Sequence, residues 1–156
     1  MALDQPAETL RSQPGDTGPR TIHYERDVQP IWDKYCVSCH SGEQPKGELD
    51  LSHTLTAQFN VSYENIMKKH LVSYLQGGFG SANLPSEPPL TFGSHQSELI
   101  KQIRKAPCKV DMSREEFIRI VTWIDANAPY YGTHEGKKNL DWKDRPDFRP
   151  LPLAGK

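Results

Sequence analysis

The chain has 156 residues, a length that suits one domain, and 35% are hydrophobic, with thirteen prolines and eleven glycines. That is a lean supply for a self-sufficient core, so a bound group serving as part of the interior would help. A formal net charge of −1 at pH 7 argues against a nucleic-acid partner or an anionic membrane surface, and no apolar run approaches the length of a bilayer span.

Residues 1–21 read as a disordered leader or linker. MALDQPAETLRSQPGDTGPR is polar, acidic and proline-bearing, without the apolar stretch of a signal peptide. From Tyr24, the sequence YERDVQPIWDKYC predicts a helix with Asp27 as its cap, in which Pro30 fits only the first turn. Val28, Ile31 and Tyr35 recur at helical spacing, so one apolar face runs into the stretch YCVSCHSG.

Cys36, Cys39 and His40 form C-x-x-C-H, the attachment signature of c-type haem. Two thiols at this spacing can add to the two vinyl groups of a porphyrin as thioethers. The adjacent imidazole then lies beneath the ring as proximal iron ligand. A structural zinc site is a rival reading, but it needs four ligands. The remaining cysteine is Cys108, so such a site would take Cys36, Cys39, Cys108 and a distant histidine. A dithiol redox motif should follow a strand in a βαβ pattern, and the chain shows no such alternation. The expectation is one covalent haem c, held by Cys36 and Cys39 and ligated by His40. Such attachment is normally made outside the cytoplasm, so a periplasmic or otherwise exported location is expected, with an export signal or a larger protein upstream.

Beyond the motif, Gly42 to Gly47 is a loop and ELDLS a short extended piece. Ser62 is expected to cap a helix over Tyr63 to Leu75, closed by Gly77 and Gly78. The Gly/Pro-rich stretch from Gly77 to Gly93 is long for a loop, and either lies over one haem edge or merely connects. Ser94 then caps a helix over His95 to Lys105, stopped by Pro107. The last helix is the best defined. Ser113 and Glu116 make a capping box, with Met112 and Phe117 placed as a hydrophobic staple. Phe117, Ile120, Val121 and Ile124 form its apolar stripe, and Asn127 and Pro129 end it. This helix and the one ending at Cys36 each need a partner for one apolar face, and are expected to pack on each other beside the haem. The stretch Tyr130 to Lys156 has no helical period, though it carries Trp142 and Phe148, and residues 137–156 read as an extended tail. The fold class expected is mainly α, four helices around one haem.

These residues carry a family resemblance. YERDVQPIWDKYCVSCHSG followed by KGELDLS resembles the start of the planctomycete-type cytochrome c domains. SHQSELIKQIRK and SREEFIRIVTWIDANAPYYGTHEG are similar to their closing helices, so the likeness spans residues 22–136. The ending WIDANAPYYG is similar to large exported multidomain proteins of that lineage, among them the haem-bearing catalytic subunit of hydrazine synthase. The resemblance implies a cytochrome c-like fold with one haem, Cys36 and Cys39 at the thioether positions, and His40 as proximal ligand. Simple members carry a Met-Pro-Pro segment before the last helix, whose Met is the sixth ligand. Here the sequence is KAPCKVDMS, with Ala106 at that place. His95 is the distal ligand this reading favours, because it follows a cap and because a Gly-Ser-His stretch recurs in the relatives. Cys108 and Met112 are the alternatives.

The function expected is electron transfer by a single-haem module, between partner proteins or with a neighbouring domain of a larger exported protein. Catalysis at the iron is the alternative that the hydrazine synthase likeness permits. It would need an open or exchangeable sixth site and acid/base groups such as His70, His134 or Tyr131. Ligand binding or redox sensing, with Cys108 as an oxidisable group, is a third reading.

Overall fold

The computed structural model describes residues 12, 15–18, 20–75, 88–105 and 110–132. Over these the chain is mainly α, with α1 (Tyr24–Asp27), α2 (Gln29–Tyr35), a 3₁₀ turn (Lys46–Glu48), α3 (Val61–Lys68), α4 (Glu98–Arg104) and α5 (Arg114–Asp125). Among the described residues the one β feature is an isolated antiparallel bridge between Leu55 and Asn60. Gly77, Gly78, Ala106, Pro107, Cys108, His134, Trp142 and Phe148 lie outside the described residues.

The first helix differs from its sequence reading. It begins at Tyr24 and breaks at Val28, so Asp27 ends α1 and does not cap a helix. The reason is that the Asp27 carboxylate has better partners: it accepts the His23 backbone N–H at 2.8 Å and pairs with Arg26 at 2.9 Å. Burial works against the charged form, but the bonds from Arg26, His23 and Arg20 outweigh it and hold the carboxyl below its ordinary value. Pro30 falls in the first turn of α2, where a missing N–H loses no bond.

Tyr24, Val28, Trp32, Ile66, Ile120 and Trp123 are fully buried and form the centre of the core. A polar network runs through it. The Trp32 indole donates to the Tyr24 hydroxyl at 3.0 Å, which lies 2.9 Å from the Ser62 hydroxyl. Ser62 in turn donates to the Gln29 side-chain oxygen, which also accepts from Asn60 at 3.1 Å. Every one of these five side chains is buried, and the network ties α1, α2 and α3 together.

That network explains why α3 starts early. Ser62 does not cap; Asn60 does, accepting the Tyr63 N–H at 3.0 Å, because the Ser62 hydroxyl is already used inside the core. The helix also stops early, at Lys68. His70 takes a left-handed conformation (φ 52°), and the N–H groups of His70 and Leu71 return to the carbonyls of Met67 and Ile66. That is a Schellman closure with histidine where glycine is usual. α4 likewise begins at Glu98, three residues later than expected. The Ser94 N–H and hydroxyl are taken by the Asp125 carboxylate, at 2.7 and 3.0 Å.

α5 follows its local signals. The Ser113–Glu116 capping box is present in both directions. Ile120 and Ile124 are buried, Phe117 and Val121 half-buried, and Met112 packs against the core beside them. Trp123, outside the predicted stripe, is fully buried too. Between α2 and α5 the link is made by side chains at the end of α2: Glu116 accepts from the Lys34 ammonium at 2.9 Å and from the Tyr35 hydroxyl at 2.8 Å. The start of α1 joins them through the Tyr24 and Trp123 rings, 5.2 Å apart. Contacts begin before residue 21: Asp16 pairs with Arg20 at 2.8 Å and with Arg119 of α5 at 3.4 Å.

Candidate haem-attachment site

The chain makes one more helical turn after α2. Cys36 N–H and Val37 N–H both bond the Trp32 carbonyl, and Cys39 N–H and His40 N–H both bond the Cys36 carbonyl, at 3.1 and 2.9 Å. These bonds place Cys36, Cys39 and His40 on one turn of backbone, three and four residues apart. The Ser41 hydroxyl donates to the Val37 carbonyl at 2.7 Å and steadies the turn. Cys36 is half-buried and Cys39 exposed, and no disulfide joins them.

The loop after the motif is tied back onto it. Leu51 N–H bonds the His40 carbonyl at 2.7 Å and Lys46 N–H the Cys39 carbonyl at 3.0 Å. Gly42 (φ 86°) and Gly47 (φ 63°) make the required left-handed bends. Outside, the Gln29 amide holds the Leu51 carbonyl at 3.1 Å and the Asn65 amide the Asp50 carbonyl at 2.9 Å. The loop thereby brings the Leu49 carbonyl 3.3 Å from His40 Nδ1. With the proton on Nδ1 and donated there, the Nε2 lone pair is left for a metal. This is the usual way a protein orients a ligating imidazole. Sequence reasoning found His40 but not this carbonyl, whose contact depends on how the loop closes.

Val37 within the turn and Leu49 in the loop tied to it are half-buried apolar side chains packed on the core. The donor chemistry fits a c-type haem in two respects: two cysteines in one turn, and an imidazole with one nitrogen engaged. Among the described residues no group of three or more His, Cys, Asp or Glu gathers that could hold a metal ion, and Cys108, a ligand in the zinc reading, lies outside them. A haem needs fewer protein ligands, since its porphyrin supplies four.

The other predicted residues are spread out. His95 is exposed in the turn before α4, so the helix-start argument for it passes to Glu98. Its turn is nonetheless well held, by Asp125 on Ser94 and by Gly93, whose left-handed φ of 77° sets the bend. Met112 is half-buried at the opposite end of α5, the end where Glu116 holds Tyr35, next to Cys36. At 1.5 Å per residue Glu116 and Asp125 are roughly 14 Å apart along the helix. His70 is exposed in the cap of α3, and the Tyr131 hydroxyl donates to the Gln58 carbonyl at 2.6 Å, so neither belongs to the Cys36–His40 turn. Among the described residues no helix is long and apolar enough to cross a membrane.

Comparison of the chain with protein-family models, with characterised proteins and with solved structures gave no match.

Proposed function

We propose that this chain is a single-haem c-type cytochrome domain of cytochrome c-like fold, working in electron transfer outside the cytoplasm as part of a larger exported protein. What supports the reading is the Cys36–His40 turn, closed by the Cys39 and His40 N–H groups on the Cys36 carbonyl, and the Leu49 carbonyl beside His40 Nδ1. When bound, the haem supplies a one-electron iron couple. The protein's part is to present Cys36 and Cys39 for thioether bonds, to hold the His40 ring by Leu49, and to cover the porphyrin with apolar side chains. Its partners are a redox protein or a neighbouring domain. His95 is the distal ligand proposed, with Met112 and Cys108 as the alternatives.

The test is expression with a haem-attachment system and intact mass after denaturation. One haem above the polypeptide mass is expected, reduced to a single thioether by Cys36→Ala or Cys39→Ala. Removal of the haem by acid–acetone, or zinc in its place, overturns the proposal. In the same preparation His95→Ala should convert a low-spin spectrum to one that binds carbon monoxide. If Met112→Ala does so instead, the ligand is Met112. A wild-type protein that already binds carbon monoxide favours catalysis over electron transfer.

A further inference from the structure

His23 is 2% exposed, yet neither of its ring nitrogens has a hydrogen-bond partner. A buried imidazole normally satisfies at least one of them, so this ring is held in place by its surroundings and not by bonds of its own. It sits at the start of α1, with the Tyr130 and Tyr131 rings each 6.1 Å away. The segment after α5 is clipped over it. Tyr24 N–H donates to the Tyr130 carbonyl at 3.0 Å, Trp123 Nε1–H to the Pro129 carbonyl at 3.0 Å, and the Tyr63 hydroxyl to the Ala128 carbonyl at 2.9 Å. The fit is close: a side chain at Gly132 would meet the Thr21 hydroxyl at 2.8 Å. The segment also leaves α5 through two successive left-handed residues without glycine, Asn127 (φ 69°) and Ala128 (φ 48°). Alanine rarely adopts that conformation, so the clip is closed against some backbone strain.

We propose that His23 and the segment Ala128–Gly132 form an acid-sensitive latch, closed while His23 is neutral and opened when it takes a proton, which frees the chain after α5 from the start of α1. A proton on His23 makes both ring nitrogens donors and adds a charge. The charged groups facing it are Glu25, Arg26 and Asp27 on α1, and the titratable groups packed on it are Tyr130 and Tyr131. Glu25 already accepts the Tyr130 hydroxyl. The Asp27 carboxylate already serves Arg20, Arg26, Arg119 and the His23 backbone N–H. The carboxylates nearest the ring are thus already engaged, neither ring nitrogen bonds to them in the closed latch, and opening exposes an imidazolium to water.

The sign follows. Burial lowers the affinity of His23 for protons below that of a histidine at 6.5; Glu25 and Asp27 raise it, Arg26 lowers it further, and burial is the largest effect. The closed form thus binds fewer protons than the open form. Latch stability is complete above about 6.5 and falls as pH drops through that value.

Hydrogen exchange of the full chain, corrected for intrinsic rates, tests this at the Tyr24 amide and the Trp123 indole N–H. Between about pH 7.5 and pH 5, protection should drop, with a ceiling near 30-fold for a group titrating at 6.5 when open. His23→Phe, which keeps the aromatic packing, should abolish that drop. Equal loss in both proteins, or none in the wild type, overturns the latch. Should His23→Phe fail to fold, ring titration by NMR decides. His23 and Tyr130 signals must then move with one midpoint below 6.5, and a His23 that titrates with Tyr130 unmoved refutes the proposal. His23 precedes α1 and Cys36 follows α2, so the outcome is independent of the haem reading.

Discussion

Tyr24→Phe removes one oxygen from the middle of the core and leaves the ring. The phenyl group can keep its neighbours, since Tyr63, Trp123 and Tyr130 lie 5.0, 5.2 and 5.6 Å away between ring centres. What is lost is the hydroxyl's place in the network. The Trp32 indole can only donate, so Tyr24 accepts there at 3.0 Å. The phenol's own proton then goes to Ser62, 2.9 Å away, which leaves Ser62 to donate to Gln29. Burial pushes the Tyr24 phenol far above its ordinary value, so it remains a donor at any working pH. Without the oxygen, a fully buried indole N–H has no acceptor, while Ser62 keeps its bond to Gln29. An orphaned buried donor costs about 1–3 kcal/mol, and the small void left by one oxygen adds little. Urea unfolding should show that loss as a lower midpoint at unchanged slope. Ser62→Ala should be less than additive with it, because both act on one network. A loss below about 0.5 kcal/mol, or strict additivity, would refute this assignment of donors and acceptors.

Ile120→Ala should lower unfolding free energy by about 2–5 kcal/mol, because the side chain is fully buried in the core; a near-zero shift in denaturant midpoint would place the stripe elsewhere. Glu116 is held down to about 2 by the Lys34 ammonium first, then by Tyr35 and Ser113. Its folded value lies below its unfolded one, so its contribution is full above about 4.5 and is lost as pH falls through about 2. Glu116→Gln should therefore destabilise near neutrality, by on the order of 1 kcal/mol after allowing for solvent screening, and converge on the wild type in acid. A difference that does not shrink with acid would show that the charge is not what Glu116 contributes.

Local signals in the sequence carried what depends on neighbours within a turn. The Ser113–Glu116 box and the stripe through Ile120 and Ile124 both rest on spacings of three and four residues. Backbone geometry makes those contacts wherever a helix forms, so they were legible in advance. The helix boundaries that moved were each decided by a distant partner. Ser62 left its cap for Tyr24 and Gln29, which precede it by more than thirty residues, and Ser94 left its own for Asp125. A short polar side chain serves a cap or the core equally well in isolation, and only the assembled fold says which partner it meets. The burial of His23 and Trp123, and the Leu49 carbonyl that orients His40, have the same origin. They are contacts between segments that local periodicity does not relate. The tertiary structure chose them because a buried polar group takes whichever partner the packing brings within bonding distance.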